Sequence, residues 1–511
     1  MLTITSSNAN GASVAYTYDN QNRLSTVADN RLSGNNTTNY TDDDASNVVT
    51  VAYPNGVTST STYDELNRLT QLTTSASGTQ IANYKYTLGL AGNRTSATEQ
   101  SGRALQWSYD NFYRLTGETI SGDPAHNNGS SSYSLDPVGN RLSESTNMPE
   151  MESGSFGYNA DDEVSSETYD SNGNTLSAGG KSFTYDAENH LTGMSVSGTT
   201  VSVVYDAFGN RVAKTVNGVT TKYLVEDDVN PTGYPQVLDE LTGSTVTRTY
   251  TYGLQRISQD QLVSGVWTPS FYGYDGGGNV RQLTNSAGAV TDTYEYDAFG
   301  NDVYHTGTTP NNYLYRGEQY DPDLGLYYLR ARYYNPATGR FLSRDPENGN
   351  RLSPASLRKY LYAGGDPVNS FDPSGRASIL ETGSLDAVIG SVPVPALIAL
   401  AGTAAENALL ATGVSDAIAG IQLAAEAGSY EEVIDIVTYT AKSILQSRPL
   451  VRAFLCSPLV LAYAYGEDQL DDYAKDHHWN FLEIQAMDKA LDVPKDALAV
   501  ACGAYVLGLV K

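Results

Sequence analysis

Through the first 376 residues the chain alternates, with period two, between aromatic or β-branched residues and small polar ones. In Tyr16-Thr17-Tyr18, Tyr84-Lys85-Tyr86, Tyr250-Thr251-Tyr252 and Tyr294-Glu295-Tyr296 the rings fall on one face and the intervening side chain on the other. This pattern predicts β-strands. Between the strands a Tyr-Asp pair recurs, followed by spacer residues, Gly or Asn, and Arg or an aliphatic residue. Clear copies are YDNQNRL at 18–24, YDELNRL at 63–69, YDNFYRL at 109–115, YDAENHL at 185–191, YDAFGNRV at 205–212 and YDAFGNDV at 296–303. Weaker ones lie at 86–94, 135–142, 158–164 and 274–280.

Counted at Asp19, Asp43, Asp64, Gly89, Asp110, Asp136 and Asn159, the copies are 24, 21, 25, 21, 26 and 23 residues apart, which predicts a repeat architecture. Each copy reads as one hairpin: Asp bonds backbone amides at the start of the turn, and Gly or Asn takes the positive φ. Tyr suits the strands because its ring stacks on neighbours while its hydroxyl can stay hydrated. With few aliphatic residues to fill a solid core, the expectation is mainly β: one curled, hollow sheet of hairpins around a wet interior. A solid propeller or sandwich of hairpins is the alternative.

From about residue 377 the period changes to that of a helix, over 415–427, 430–446 and 473–491. Val433, Ile434, Val437 and Ala441 form one stripe, and Ser429 stands where a helix would be capped. Composition changes at the same place. Residues 1–376 hold 32 of the 38 tyrosines, and both cysteines, Cys456 and Cys502, lie beyond them. The expected organisation is a repeat region over 1–312, a cassette over 313–376 and a small all-α domain over 377–511.

A net charge of −27 argues against nucleic acid as a partner, since binding phosphates needs Lys and Arg. The tail is acidic too, with 7 basic against 17 acidic residues in 377–511. Two cysteines make no disulfide framework, and the first residues lack the basic and apolar regions of a signal peptide.

The most specific stretch is YLYRGEQYDPDLGLYYLRARYYNPATGRFLSRDPENGN at 313–350, followed by LRKYLYAGGDPVNSFDPSGR at 357–376. It resembles the Rhs repeat-associated core of the Rhs/YD-repeat family, which includes bacterial polymorphic toxins, the C components of insecticidal toxin complexes and the animal teneurins. With the repeats upstream, the resemblance covers 1–376. It implies a β-shell enclosing a C-terminal passenger, with the cassette closing one end. It also implies autoproteolysis by Arg332 (ARYYNP), Asp345 (SRDP) and Asp372 (FDPSG), cutting between Arg376 and Ala377. The family pattern ends DPxGL, whereas this chain has Arg376 in the last place. The chemistry is coherent: of two carboxylates held close, one keeps its proton for the scissile carbonyl while the other activates water, and a guanidinium tunes the pair. Both Asp-Pro pairs also read as plain turn formers, and Gly317, Gly325 and Gly339 as turn and bulge glycines.

The passenger carries no recognisable catalytic motif and points to no cofactor or metal. His477 and His478 beside Asp471, Asp472, Asp476 and Trp479 read as a solvated helix face rather than a metal site. Cys456 and Cys502 read as small buried hydrophobes. The uncharged stretch 387–405 is interrupted by Gly390, Pro393 and Pro395, which favours a buried helix over a membrane span. These readings predict a secreted or surface protein that sequesters its own C-terminal domain as cargo, with secretion machinery and an immunity protein as partners. The rival is an uncleaved structural or adhesive YD-repeat protein with an inert helical tail.

Overall fold

The computed structural model describes residues 2–149, 151–347, 357–376 and 379–380. The hairpin turns explain why the repeat looks as it does. At Asp64, Oδ1 accepts the N–H groups of Leu66 (2.9 Å) and Arg68 (3.0 Å), and Oδ2 accepts Arg68 Nε at 2.8 Å. The Asp64 amide closes the loop onto Arg68 O, and Asn67 supplies the positive φ of 58°. The same wiring recurs at Asp19, Asp110, Asp206 and Asp297, with Arg or Asn as the fifth residue. One carboxylate thus satisfies three donors that a bare turn would leave to water.

The preceding tyrosine has an equally fixed task. Its hydroxyl donates to a carbonyl on the neighbouring strand: Tyr109 to Arg94, Tyr205 to Leu191, Tyr274 to Arg256 and Tyr296 to Val280. The expectation that the hydroxyl can stay hydrated is not met at Tyr274 and Tyr296, whose rings are buried. Where the ring is buried, water cannot reach the oxygen, and a main-chain acceptor beside each turn takes its proton.

The strands form two 14-stranded antiparallel sheets, not the single sheet expected from the repeat. Each runs in strict sequence order, the first from Leu2–Thr5 to Gly154–Ser155 and the second from Thr168–Tyr169 to Asp302–Thr306. The break has a physical cause. The turns at Asn159 and Asp170 are so close that the segment between them cannot supply two strands, and pairing shrinks to a single bridge between Tyr158 and Val164.

Polar contacts tie the two sheets together. Ala12 N meets Asp239 Oδ1 (2.8 Å), Thr251 meets Asp29 (2.8 Å), Arg281 meets Glu99 (2.9 Å) and Ala298 N meets Glu118 (2.8 Å). Tyrosine is the commonest member of the largest apolar cluster, which runs from Ile4 to Ala363 through both sheets and the cassette. Buried guanidiniums lie over these rings, as Arg256 does over Tyr313.

The cassette adds a four-stranded sheet, Gln319–Asp321, Leu326–Leu329, Arg332–Asn335 and Arg340–Phe341, and a pairing of Ser370–Phe371 with Ile379–Leu380. The last pairing carries extended structure past the expected domain boundary at 377. The helices expected from 415 onward, the stretch 387–405, His477, His478, Cys456 and Cys502 lie outside the described residues. Among the described residues no helix is long and apolar enough to cross a membrane.

Candidate active site

The cassette is seated on one turn of the second sheet. Three of its tyrosines cap three consecutive carbonyls there: Tyr315 to Ala298 (2.9 Å), Tyr334 to Phe299 (2.8 Å) and Tyr327 to Gly300 (3.0 Å). Gly300 is required at this point, because at φ +92° an added Cβ would lie 2.5 Å from the Tyr315 ring.

Strands Leu326–Leu329 and Arg332–Asn335 are joined by a tight turn in which Arg330 takes a φ of 58°. Arg332 leaves this turn buried, its guanidinium 3.6 Å from the centre of the Phe341 ring. Its Nη2 lies 2.9 Å from Asp345 Oδ2 and 3.3 Å from Asp372 Oδ2. Two carboxylates that are 27 positions apart in sequence therefore meet across one nitrogen. The other donors of Arg332 hold main chain: Nε on Gly375 O and Nη1 on Lys359 O. Asp372 Oδ1 in turn accepts Ser374 Oγ (3.2 Å) and the Arg376 amide (3.1 Å). The three residues named from the sequence are thus brought together, and two of them, Arg332 and Asp372, hold the main chain at Gly375 and Arg376.

Burial pushes the Asp345 carboxyl above the ordinary carboxylate range, against the pull of Arg332. Burial also draws the Arg332 guanidinium below its usual value, although both carboxylates oppose this. A raised carboxyl, a second carboxylate and a guanidinium are groups from which acid–base chemistry can be built.

Sequence reasoning missed the residues that hold the strand before this bond. Arg316 donates to the carbonyls of Pro367, Val368 and Ser370, and Arg330 donates to Pro373 O while paired with Glu318 at 2.9 Å. Their acceptors are carbonyls, which every sequence has, so no pattern marks them. Gly375 lies so close to Leu329 O and Arg332 N that a side chain would displace the strand. Gly317, Gly325 and Gly339 all have positive φ, as turn glycines do. Asp186, Glu188 and His190 cluster closely enough to suggest a metal site. Their geometry is that of the repeat turn, with His190 as its fifth residue.

Comparison with known proteins matches this architecture. The teneurin YD-shell family model covers residues 93–368, and the RHS repeat model covers 43–80. The tRNA nuclease WapA of Bacillus subtilis is 33% identical over 285 residues, which is 54% of this chain and 11% of that protein. Toxin protein Tse5 of Pseudomonas aeruginosa is 40% identical over 62 residues, 12% of this chain and 4% of that one. The crystal structure of TcdB2-TccC3-Cdc42 aligns with a TM-score of 0.59 at 18% identity, over 75% of this chain and 21% of that one. The chain therefore spans only a small part of these relatives. That structural likeness carries the fold, and the family model spans more than half of the sequence, including the second sheet and most of the cassette: the chain belongs to the teneurin YD-shell family, with RHS repeats at its N-terminal side.

Proposed function

We propose that this chain is the shell-and-cassette part of a toxin-type Rhs protein, exported from or displayed on the producing cell. In this reading the repeat shell is hollow and encloses residues 377–511 as cargo, and the cassette frees that cargo by cutting itself once. The supporting observation is Arg332 bridging Asp345 and Asp372 while holding Gly375 O, next to the Arg376–Ala377 bond. In its protonated form Asp345 gives its proton to the Arg376 carbonyl oxygen. Asp372 takes a proton from water as the water oxygen attacks the carbonyl carbon. Asp372 passes that proton to the Ala377 nitrogen as the C–N bond breaks, and Asp345 regains its own from the gem-diol, leaving a carboxyl on Arg376 and an amine on Ala377. Substrate and catalyst share one chain, so proximity replaces binding. Relatives such as the tRNA nuclease WapA and the toxin protein Tse5 support the cargo reading. An immunity protein and an export machine are the partners it requires.

Self-cutting is tested by expressing the full chain and separating it under denaturing conditions. The expected result is two fragments, of about 376 and 135 residues, that merge into one band in Asp372→Asn and in Asp345→Asn. An uncut wild-type chain overturns the autoproteolysis. It would leave the second reading, an intact surface scaffold, which is favoured by the pairing of Ser370–Phe371 with Ile379–Leu380 across the bond. Toxicity of 377–511 expressed alone tests the cargo.

A further inference from the structure

The residue before the proposed cut is held by two carboxylates, one on its main chain and one on its side chain. Its amide donates to Asp372 Oδ1, and its guanidinium Nη1 lies 3.3 Å from Glu347 Oε1. Glu347 is not a chance neighbour. Its amide donates to Asp345 Oδ1 at 2.9 Å, and its carbonyl accepts Lys359 Nζ. The Asp345 amide in turn donates to Lys359 O at 2.9 Å. One short turn therefore carries both a proposed catalytic carboxyl and the partner of the Arg376 side chain, in a fixed relation.

We infer that Glu347 determines specificity in the self-cutting reaction, reading residue 376 by charge and selecting a cation before the scissile bond. This rests on the autoproteolytic reading above. The contribution is modest, because both side chains are about half exposed, at 52% and 60%, and water screens such pairs. It acts on placement: without the pair, the Arg376 amide keeps its hydrogen bond to Asp372 Oδ1, but the side chain no longer anchors the residue from its other end. No step of the chemistry passes through Glu347, so it is a positioning residue.

The test follows fragment appearance over time in the full chain during cell-free translation, with thermal melts to confirm folding. Glu347→Gln is expected to slow cutting by about 2- to 5-fold, and Glu347→Arg or Arg376→Glu by roughly 10-fold. The double variant Glu347→Arg with Arg376→Glu returns to within about 3-fold of wild type, which a merely structural loss would not do. Salt at about 0.5 M narrows the gap between wild type and Glu347→Gln. A Glu347→Arg chain that cuts at the wild-type rate, or a double variant as slow as its slower parent, overturns the inference while self-cutting stands. If no folded variant cuts, wild type included, the autoproteolysis fails and this inference falls with it.

Discussion

The turns at Asp110 and Asp297 are built from the same bonds and live in opposite surroundings. In each, Oδ1 accepts the amides two and four residues on, and Oδ2 accepts the fifth side chain. Phe112, at the tip of the first, is 75% exposed, whereas Phe299, at the same place in the second, is 6% exposed. Phe299 stands edge-on to Tyr133 at 5.1 Å and beneath the Arg141 guanidinium at 4.0 Å. The carboxyls diverge too. Burial would raise Asp110, but the bonds from Arg114 and Phe112 outweigh it and hold the group below the usual range. Burial wins at Asp297, and its carboxyl is raised. A local motif settles the turn; only its neighbours settle whether that turn is an outer rim or the seat of the cassette.

The sharpest way to break this comparison is to truncate both tips. Phe299→Ala is expected to cost about 3–5 kcal/mol, as a buried aromatic does, and Phe112→Ala within about 0.5 kcal/mol of nothing, as read from urea unfolding. Equal costs would mean that the two turns are not different in kind. A second contrast uses glycines that both have positive φ. At Gly92 an added Cβ meets only the flexible Arg68 side chain, 3.6 Å away, whereas at Gly300 it strikes the Tyr315 ring. Gly92→Ala is expected to cost about 1 kcal/mol of backbone strain and Gly300→Ala about 1–3 kcal/mol more, again from urea midpoints.

The smallest effect is in pH. Burial, then the neighbouring Asp297 charge, pushes Glu118 up to about 7 from an ordinary 4.5, with Arg103 opposing. Arg141 faces Asp297, and Glu144 faces both Arg141 and Asp297. A carboxyl raised on folding stabilises while protonated, so this contribution is complete below its ordinary value and is lost as pH climbs toward 7. The rim carboxyls Asp19, Asp64 and Asp110 are lowered, and theirs is lost only as pH falls below their ordinary 3.8. The urea midpoint is expected to fall between about pH 5 and pH 7.5, and Glu118→Gln to flatten that limb. A wild-type midpoint that rises over the same interval contradicts the assignment.

Much of this was legible in the sequence, for a definite reason. The turn is self-contained within five residues, so Tyr-Asp, spacer, Gly or Asn, and a donor can be read without knowing the fold. The cassette residues Arg332, Asp345 and Asp372 were legible through family likeness, and their meeting was not, because it depends on strand Arg332–Asn335 passing beside the segment that starts at Asp372. The division into two sheets does not show in the repeat motif, because YDSNGN at 169–174 is an ordinary copy and only its closeness to the copy at 158–164 breaks the pairing. The tyrosine hydroxyls were misread because their acceptors are carbonyls, to which side-chain patterns are blind.

The matching of particular residues across the two sheets has an evolutionary consequence. If an internal hairpin were deleted, every later residue would face the wrong opposite number: Arg281 would no longer reach Glu99, nor Ala298 the carboxylate of Glu118. Lengthening or shortening such a strip is therefore cheap at its free ends and disruptive in the middle, so lineages that vary in repeat number should do so by growth or loss at the margins.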